Sequence, residues 1–387
     1  MTHSAADRPP VSARAARIPI TGLAEVFILA LTGAEVDLAI GTPRHPETPG
    51  ELIEEAARAL RSGHNQYEHP YGDVVLRQRI AESLAAPTDP DAELTITAGA
   101  TEALFVALLG TVDPGDEVIL FNPGFEQFSE AITLAGAVPR HVRLHPPEWR
   151  FDPAELAAAF TSRTRAVLLN TPSNPTGRVL TREEFDEIAE LCERWNVTAI
   201  CDEVYSAFVF DGRAHLSVAD VPGLAERSVV IGSMSKSHAV SGWRLGFLRA
   251  DPARTAAFRN VKSLTTLTAA VPLQVAAGRA APSVDLAAAA AEMAERRDVA
   301  QEIFSRMGMK FAPVEGGCYL FADISPLTGG EGGGMPFVRD LFERSGVLLA
   351  PGSAFYADPA QGEQYVRVAF NRPMETLRDA ERRLLDA

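Results

Sequence analysis

The 387-residue sequence contains little cysteine, and its cysteines are not arranged to bind a metal ion. Cys192, Cys201 and Cys318 stand alone in apolar or strand-like stretches, without the close Cys or His spacing of a metal site. Isolated cysteines of this kind are typical of proteins whose thiols stay reduced. We therefore expect buried thiols, no bound metal and a cytoplasmic location.

Positive charge is also scarce. Lysine and arginine number 36 against 51 aspartate and glutamate residues, which gives a net charge of −15. This balance excludes a general attraction to nucleic acid, so any phosphate has to be bound by a local group of donors. No apolar run approaches the roughly eighteen residues of a membrane span. The composition is that of a globular protein, and we expect neither a nucleic acid nor a membrane partner.

The N-terminal segment lacks the continuous apolar stretch of a signal peptide. It reads MTHSAADRPPVSARAARIP and is rich in alanine, arginine and proline. We expect residues 1–17 to form a flexible tail. The remaining length is enough for two domains, or for one large domain with an appendage.

Short β-rich runs alternate with helical patterns through the middle of the chain. Apolar runs separated by helices predict a mostly parallel sheet with helices on both faces. Residues 181–196 combine a threonine cap, early acidic residues and apolar positions at helical spacing, which predicts one of the covering helices. The runs are LTIT (94–97), EVILF (117–121), RAVLLN (165–170), VTAIC (197–201), SVVIG (228–232) and RLGFL (244–248).

The pattern changes after about residue 281. An alanine-rich helix, two β-like runs (GGCYLFADI and YVRVAF) and a closing helix from about Met374 predict a smaller α/β lobe. We assign residues 46–280 to a large domain. Residues 18–45 and 281–387 are assigned to a small domain.

Polar residues follow the predicted strands at their carboxyl ends, where open α/β sheets bind ligands. The densest group is SMSKSHAVSGWRLG, which places Lys236 between Ser233 and Ser235 and ends close to Arg244. Two hydroxyls and a guanidinium offer several donors, which suit an anion with several oxygens. The segment therefore predicts an anion beside a lysine.

Three other strand ends carry polar turns. AGATEAL follows LTIT, and its Gly99, Ala100 and Thr101 leave backbone amides free at a predicted helix N-terminus, where a phosphate is stabilised. NTPSNPTGRV follows RAVLLN, and DEVY follows VTAIC. Each of these turns taken alone is more often an ordinary turn.

In this order, the four turns resemble the cofactor site of class I and II aminotransferases, which are fold type I enzymes of pyridoxal 5'-phosphate (PLP). The resemblance runs from AIGTP (39–43) to YVRVAF (365–370). It implies an α/β fold in which a mostly parallel seven-stranded sheet forms an α/β/α sandwich, with a smaller α/β domain beside it. It also implies an amino acid aminotransferase in which Lys236 forms the Schiff base with PLP.

The resemblance assigns roles at the other strand ends. Ser233, Ser235, Arg244 and the amides after Gly99 would hold the phosphate. Asp202 matches the carboxylate that keeps the pyridine nitrogen protonated. It follows five apolar or small residues, where an unpaired carboxylate is costly, so a cationic partner is expected.

Three residues around the ring are also assigned by the resemblance. Asn174 and Tyr205 match the donors to the 3'-oxygen of PLP, and Asn174 also lies near the substrate. Phe125 matches the aromatic residue that stacks on the pyridine.

Further matches lie outside these turns. Tyr67 is followed by glycine five positions later and by Leu-Arg at nine and ten, which is the family spacing. In relatives this tyrosine reaches the phosphate of the neighbouring subunit, which implies a homodimer with shared active sites. Arg367 matches the arginine that binds the α-carboxylate of the substrate, because a planar guanidinium fits a planar carboxylate. Gly41 would let its backbone approach the same carboxylate.

Within the family, the sequence is most similar to the kynurenine, glutamine and methionine aminotransferases. The likeness rests on DPGDEVILFNPGFEQF, ICDEVYSAFVF and SKSHAVSGWRLGF. Arg44 and His45 replace an acid and an aromatic residue, and Leu267 and Thr268 stand where aromatic-accepting members place Phe and His of the partner chain. We expect these changes to lie around the substrate side chain.

The expected reaction moves the amino group of an L-amino acid, neutral, aromatic or sulfur-containing, to a 2-oxo acid. Two alternatives remain open. The same residues serve PLP-dependent elimination or cyclisation in specialised metabolism. The second alternative is a non-catalytic, aminotransferase-like sensor domain. Such a sensor requires a basic DNA-binding domain ahead of the fold, whereas only about forty residues precede the fold here.

Overall fold

The computed structural model describes residues 11–16, 18, 22–330 and 333–385. Most of the predicted tail, residues 1–10 and 17, lies outside the described residues. The strands are β1 (Val36–Asp37), β2 (Leu94–Ala98), β3 (Glu117–Asn122), β4 (Val138–His145), β5 (Arg150–Phe151), β6 (Thr164–Asn170), β7 (Thr198–Asp202), β8 (Ser228–Ser233), β9 (Leu245–Ala250), β10 (Tyr319–Asp323), β11 (Val347–Leu348), β12 (Ala350–Pro351) and β13 (Tyr365–Ala369).

The α-helices begin near the N-terminus and alternate with the strands through most of the chain. They are α1 (Ala13–Ala16), α2 (Leu23–Thr32), α3 (Gly50–Arg61), α4 (Val74–Ser83), α5 (Gly99–Leu109), α6 (Gln127–Ala135), α7 (Pro153–Ala159), α8 (Arg182–Trp195), α9 (Met234–Ser237), α10 (Pro252–Ser263), α11 (Val271–Ala280), α12 (Leu286–Arg306), α13 (Ser325–Thr328), α14 (Gly334–Ser345) and α15 (Met374–Leu385). The predicted helix over 181–196 is confirmed as α8, with Thr181 and Glu184 forming a capping box.

The large sheet has the strand order β2-β9-β8-β7-β6-β3-β4-β5. Strands β8, β7, β6, β3 and β4 are parallel, whereas β9 runs antiparallel to both β8 and β2. The predicted mostly parallel α/β fold is therefore confirmed. Seven strands of five or more residues match the predicted number, and the two-residue β5 adds an eighth at the edge.

Both faces of the large sheet are buried. Along β6, Ala166 and Leu168 pack in one hydrophobic cluster, while Val167 and Leu169 pack in another. Successive strand residues point to opposite faces, so this alternation means that helices cover each side. Helices α5, α6 and α10 pack on the first face, and α8 packs on the second.

Strand β4 was missed in the sequence. It lies near the edge of the sheet, and most of its residues are exposed or half-buried. Its sequence, VPRHVRLH, mixes charged and apolar residues, so it lacks the continuous apolar run that identified the central strands.

The smaller lobe contains a three-stranded antiparallel sheet, β10-β13-β12, and a parallel pair, β1-β11. The pair joins residues 36–37 to residues 347–348, so the segment before the large sheet pairs with the C-terminal part of the chain. This pairing supports the proposed small domain of residues 18–45 and 281–387, which remains a proposal. No described helix has both the length and the apolar composition to cross a membrane.

The direction of the strands determines which residues lie at the edge of the large sheet where ligands are expected. Because β9 is antiparallel to β2 and to β8, those two strands point the same way, and the carboxyl ends of β2, β8, β7, β6 and β3 lie at one edge. Strand β9 runs in reverse and therefore starts at that edge, which brings Arg244 to the same place. Gly41 and Arg367 come from the smaller lobe.

Glu117, the first residue of β3, ties three segments together at the opposite edge of the sheet. Its buried carboxylate accepts hydrogen bonds from Arg140 on β4 at 2.7 Å and from Thr161 before β6 at 2.6 Å, and it pairs with Arg163. These contacts, the Arg140 bond foremost, lower the pKa of Glu117 to about 2. The folded protein therefore stabilises the ionised form of the Glu117 carboxyl group.

We expect Glu117→Gln to destabilise the protein by about 1 to 2 kcal/mol, because the charged hydrogen bonds to this carboxylate are lost. The effect stays this small because both arginine side chains are exposed and solvent weakens their pairing with Glu117. The folded-state pKa is below the ordinary value, so this stabilisation is present above pH 4.5 and is lost as the pH falls towards 2. Urea unfolding at neutral and acid pH measures both effects. Glu155→Gln, at an exposed pair with His145, is the control and should change little. Equal stability of wild type and Glu117→Gln at neutral pH would contradict the assignment.

Candidate active site

The strand ends of the large sheet and the smaller lobe enclose a cavity of about 640 Å³. Twelve of the predicted site residues line it, so residues that are far apart in the sequence are brought together. They are Gly41, Ala100, Thr101, Phe125, Asn174, Asp202, Tyr205, Ser233, Ser235, Lys236, Arg244 and Arg367.

Lys236 lies on α9, directly after β8, and its Nζ donates a hydrogen bond to the carbonyl oxygen of Gly41 at 2.8 Å. Burial lowers the pKa of this amine, and Arg367 and Arg372 lower it further, although Cys318 opposes the change. A lower pKa leaves more of the amine unprotonated at neutral pH. An unprotonated amine is a nucleophile and a base.

Asp202 is the last residue of β7, and its Oδ1 accepts a hydrogen bond from the backbone N–H of Val204 at 3.1 Å. Burial raises the pKa of the carboxyl group to about 7, and the neighbouring Glu203 also raises it. Within the described part of the chain, no lysine, arginine or histidine forms an ion pair with Asp202. The cationic partner expected from the sequence is therefore not one of these residues, and the carboxyl group is suited to a cation that enters the cavity.

Polar groups next to Asp202 form a connected set. The Asn170 side chain donates to the carbonyl oxygen of Asp202 at 3.0 Å and accepts from the backbone N–H of Asn174 at 2.8 Å. The hydroxyl of Tyr205 donates to that of Tyr319 at 3.2 Å. Burial raises the pKa of Tyr205 well above its ordinary value, so its hydroxyl stays protonated as a donor.

One end of the cavity has the features of a phosphate site. Ser233 Oγ lies 2.8 Å from Ser235 Oγ, and both face the cavity together with Arg244. Gly99 has φ +78°, and a Cβ on it would lie 2.5 Å from a terminal nitrogen of Arg244. A side chain there would displace the guanidinium, so the glycine keeps the amides of α5 and the arginine close together.

Arg367, on β13, is 2% exposed. Its terminal nitrogens donate to Asn174 Oδ1 at 3.0 Å and to the Ala39 carbonyl at 2.7 Å. Its guanidinium also lies over the rings of Tyr319 at 4.2 Å and Phe355 at 4.5 Å. The arginine is thus held at the cavity wall by four contacts.

Some residues that the sequence analysis placed at the site do not line this cavity. Tyr67 is 79% exposed and does not line the cavity of its own chain, and Leu267 is 41% exposed. His45 Nε2 lies 2.9 Å from Glu292 on α12. Neither Arg44 nor His45 lines the cavity, although both were expected around the substrate side chain.

The lining residues that the sequence analysis did not single out include the polar side chains of Asn170, Tyr319 and Glu126. Asn170 ends a predicted strand, so its position at the ligand-binding edge was a usable signal. Tyr319 follows GGC in a β-like run and has the appearance of an ordinary core residue. Glu126 follows Phe125 directly, and nothing in the sequence indicates which way its side chain points.

The features described above fit PLP. An amine with a lowered pKa, a buried carboxyl group suited to a cation, and a serine, arginine and amide cradle lie around one cavity. The described residues contain no group of three or more His, Cys, Asp or Glu side chains that could hold a metal ion.

Comparison with known proteins identifies the family. The sequence profile of "Aminotransferase class I and II" matches residues 34–384. The chain is 35% identical to a probable N-succinyldiaminopimelate aminotransferase of Mycobacterium tuberculosis, over 94% of this chain and 95% of that protein. It is 32% identical to the methionine aminotransferase of Escherichia coli, covering 93% and 94%. Human kynurenine–oxoglutarate transaminase 1 is also 32% identical, covering 90% and 91%.

Solved structures give the same result. The crystal structure of the Escherichia coli methionine aminotransferase superposes with a TM-score of 0.91 at 31% identity and covers 98% of this chain and 100% of that one. The Mycobacterium tuberculosis N-succinyldiaminopimelate aminotransferase superposes with a TM-score of 0.90 at 34% identity, covering 97% and 99%. Relatives named for different substrates are about equally similar. The chain therefore belongs to the class I and II aminotransferase family, and its reaction is the transfer of an amino group.

Proposed function

We propose that this aminotransferase uses PLP, bound through Lys236, to move the amino group of a neutral L-amino acid to a 2-oxo acid. Aromatic and sulfur-containing side chains are the proposed substrates. The observation that carries the proposal is that Lys236, Asp202, Arg367 and the phosphate-type cradle of Ser233, Ser235 and Arg244 all line one cavity.

When bound, PLP withdraws electrons from the substrate, so that the Cα proton can be removed. Asp202 would hold the protonated ring nitrogen. Tyr205 and Asn174 would bond the 3'-oxygen, and Phe125 would pack on the ring. Ser233, Ser235, Arg244 and the amides of Ala100 and Thr101 would hold the phosphate.

Lys236 has the properties of the base. Burial lowers the pKa of its amine, so the free amine is available to take the proton from the substrate Cα. Its Nζ is held 2.8 Å from the Gly41 carbonyl, on the smaller-lobe side of the cavity.

Arg367 orients the substrate. Its guanidinium is fixed by Asn174, Ala39 and the two aromatic rings, so a substrate carboxylate meets donors that do not need to reorganise. Lys236 lines the same cavity, so a substrate whose carboxylate is bound by Arg367 would share this cavity with the proposed base.

A neutral side chain is supported by the rest of the cavity wall. Leu23, Phe27 and Ile40 supply an apolar surface near Gly41. Among the described lining residues, Arg244 and Arg367 are the arginines, and both are already assigned.

A homodimer with shared active sites is part of the proposal. Tyr67 is exposed and lies outside its own cavity, as expected for a side chain that reaches a neighbouring subunit. The cytoplasmic location stays a prediction.

Transfer of nitrogen to the cofactor tests the proposed reaction. Purified holoenzyme mixed with isotope-labelled amino acid, without an acceptor, should place labelled nitrogen on the cofactor, and a later 2-oxo acid should take it up. Mass spectrometry follows the label. Lys236→Ala should lose both the transfer and the borohydride-fixed attachment of the cofactor. Continued turnover with unlabelled cofactor would favour elimination or cyclisation, and no reaction with any amino acid would favour the sensor alternative.

Arg367→Ala should raise the KM of every amino acid substrate, at a cost of about 2 to 4 kcal/mol, because a charged two-point contact is lost. Arg367→Lys should recover only part of this, since an ammonium group cannot reproduce the planar pair of donors. Steady-state kinetics measure the effect. Arg44→Ala, an arginine outside the cavity wall, is the control. An unchanged KM in Arg367→Ala would refute the carboxylate role.

Subunit exchange tests the shared site. Lys236→Ala and Tyr67→Ala should each be poorly active, but a mixture should recover up to roughly a quarter of wild-type activity, because half the dimers are hybrids with one intact site. Lys236→Ala mixed with Asp202→Ala should recover none, since each chain then damages its own cavity. A monomer by sedimentation, or equal recovery in both mixtures, would show that Tyr67 does not act across an interface.

A further inference from the structure

One charged side chain in the cavity has no role in the proposed function. Among the described lining residues, the lysine, arginine, aspartate and glutamate side chains are those of Lys236, Arg244, Arg367, Asp202 and Glu126. The first four are assigned to the cofactor or to the substrate carboxylate. Glu126 remains.

Glu126 immediately precedes α6, at the position where a side chain usually caps a helix, yet it makes no capping hydrogen bond. Its Oε2 is buried and has no hydrogen-bond partner among the described residues. Buried carboxylate oxygens are normally bonded, because leaving them unpaired is costly. The carboxyl group is therefore available to a group that enters the cavity.

The surroundings of Glu126 place it on the substrate side. Arg367 and Tyr319 are its charged and polar neighbours across the cavity, and Glu130 lies one turn further along α6. No ion pair joins Glu126 to Arg367, whose terminal nitrogens are bonded to Asn174 and Ala39. Burial raises the pKa of the Glu126 carboxyl group, and Arg367 opposes this.

Apolar residues line the same cavity as Glu126. Leu23 and Phe27, one turn apart on α2, and Ile40 line it together with Glu126. A substrate side chain with an aliphatic stem would cover these residues, and its far end would be free to reach a single polar group. The wall thus combines apolar residues with a buried carboxylate oxygen that has no partner among the described residues.

We propose that Glu126 is a specificity-determining residue, which favours amino acids whose side chain ends in a hydrogen-bond donor such as an amide N–H and disfavours those that end in a carboxylate. This inference rests on the proposed function, since it assumes that Arg367 holds the α-carboxylate. A donor satisfies the unpaired oxygen of Glu126. A second carboxylate there has to face a like charge or take up a proton, and either change weakens binding.

Three amino acids of similar length but different ends test the proposal. Glutamine ends in an amide, methionine in a thioether and glutamate in a carboxylate. In wild-type holoenzyme, the rate of nitrogen transfer to the cofactor at low substrate concentration should be at least tenfold higher for glutamine than for glutamate. In Glu126→Gln this ratio should fall by tenfold or more, mainly because glutamate improves, while methionine changes by less than threefold.

Glu130→Gln is the matched control. Glu130 lies on the same helix and also has a buried oxygen without a partner, but it does not line the cavity. Its substitution should leave the ratio unchanged. A glutamine-to-glutamate ratio that is the same in wild type and Glu126→Gln would overturn the proposal, as would an equal change in Glu130→Gln.

Binding without turnover separates this proposal from the proposed reaction. The α-methyl forms of glutamine and glutamate lack the Cα hydrogen, so calorimetric titration of the holoenzyme measures their dissociation constants alone. The same tenfold change in the ratio of these constants is expected in Glu126→Gln. If nitrogen transfer fails but this change appears, the reaction is wrong and the role of Glu126 stands. If transfer succeeds and the change is absent, the role of Glu126 is wrong.

Discussion

Burial of the Arg367 guanidinium is the constraint on which the site depends. Burying a cation is costly unless it is bonded, and here the Asn174 amide and the Ala39 carbonyl accept from its terminal nitrogens, while its Nε is buried without a partner among the described residues. Tyr319 and Phe355 enclose the flat faces of the group. Asn174 follows β6 of the large sheet, whereas Ala39, Tyr319 and Phe355 come from the segments before and after that sheet, so Arg367 contacts all three parts of the chain.

Burial within the cavity also explains the shifted pKa values of Lys236 and Asp202. Lys236 loses solvent when the segment around Gly41 covers it, and Asp202 lies beneath it at the end of β7. Burial disfavours the charged form of each, so it lowers the pKa of the amine and raises that of the carboxyl group. The lowered pKa favours the free amine of Lys236, whereas Asp202 becomes more favourable as an ion only when a cation lies beside it.

The sequence was sufficient for the central strands of the large sheet and for several residues at their ends. Apolar runs identify these strands, and a ligand site lies at their carboxyl ends, so Lys236 and Asp202 were placed by position, while their roles came from the resemblance to the family. Glu126 and Tyr319 could not, because the orientation of a side chain depends on how distant segments pack. His45 shows the same limit, since its contact with Glu292 depends on where α12 lies. Comparison with relatives identifies the family, whereas the substrate depends on these orientations.

The reversal of β9 has a consequence for how the chain folds. Strand β2 pairs with β9 alone in the described sheet, with Leu94 opposite Arg249, so the first strand of this sheet has no partner until the last has been made. Contacts between segments so distant in the sequence form slowly, because a long loop has to close first. The amides at the start of α5 and Arg244 are brought together by this pairing. During synthesis on the ribosome, the anion-binding end of the cavity is therefore completed only after residue 250 has emerged, whereas β6, β7 and β8 pair with near neighbours in the chain.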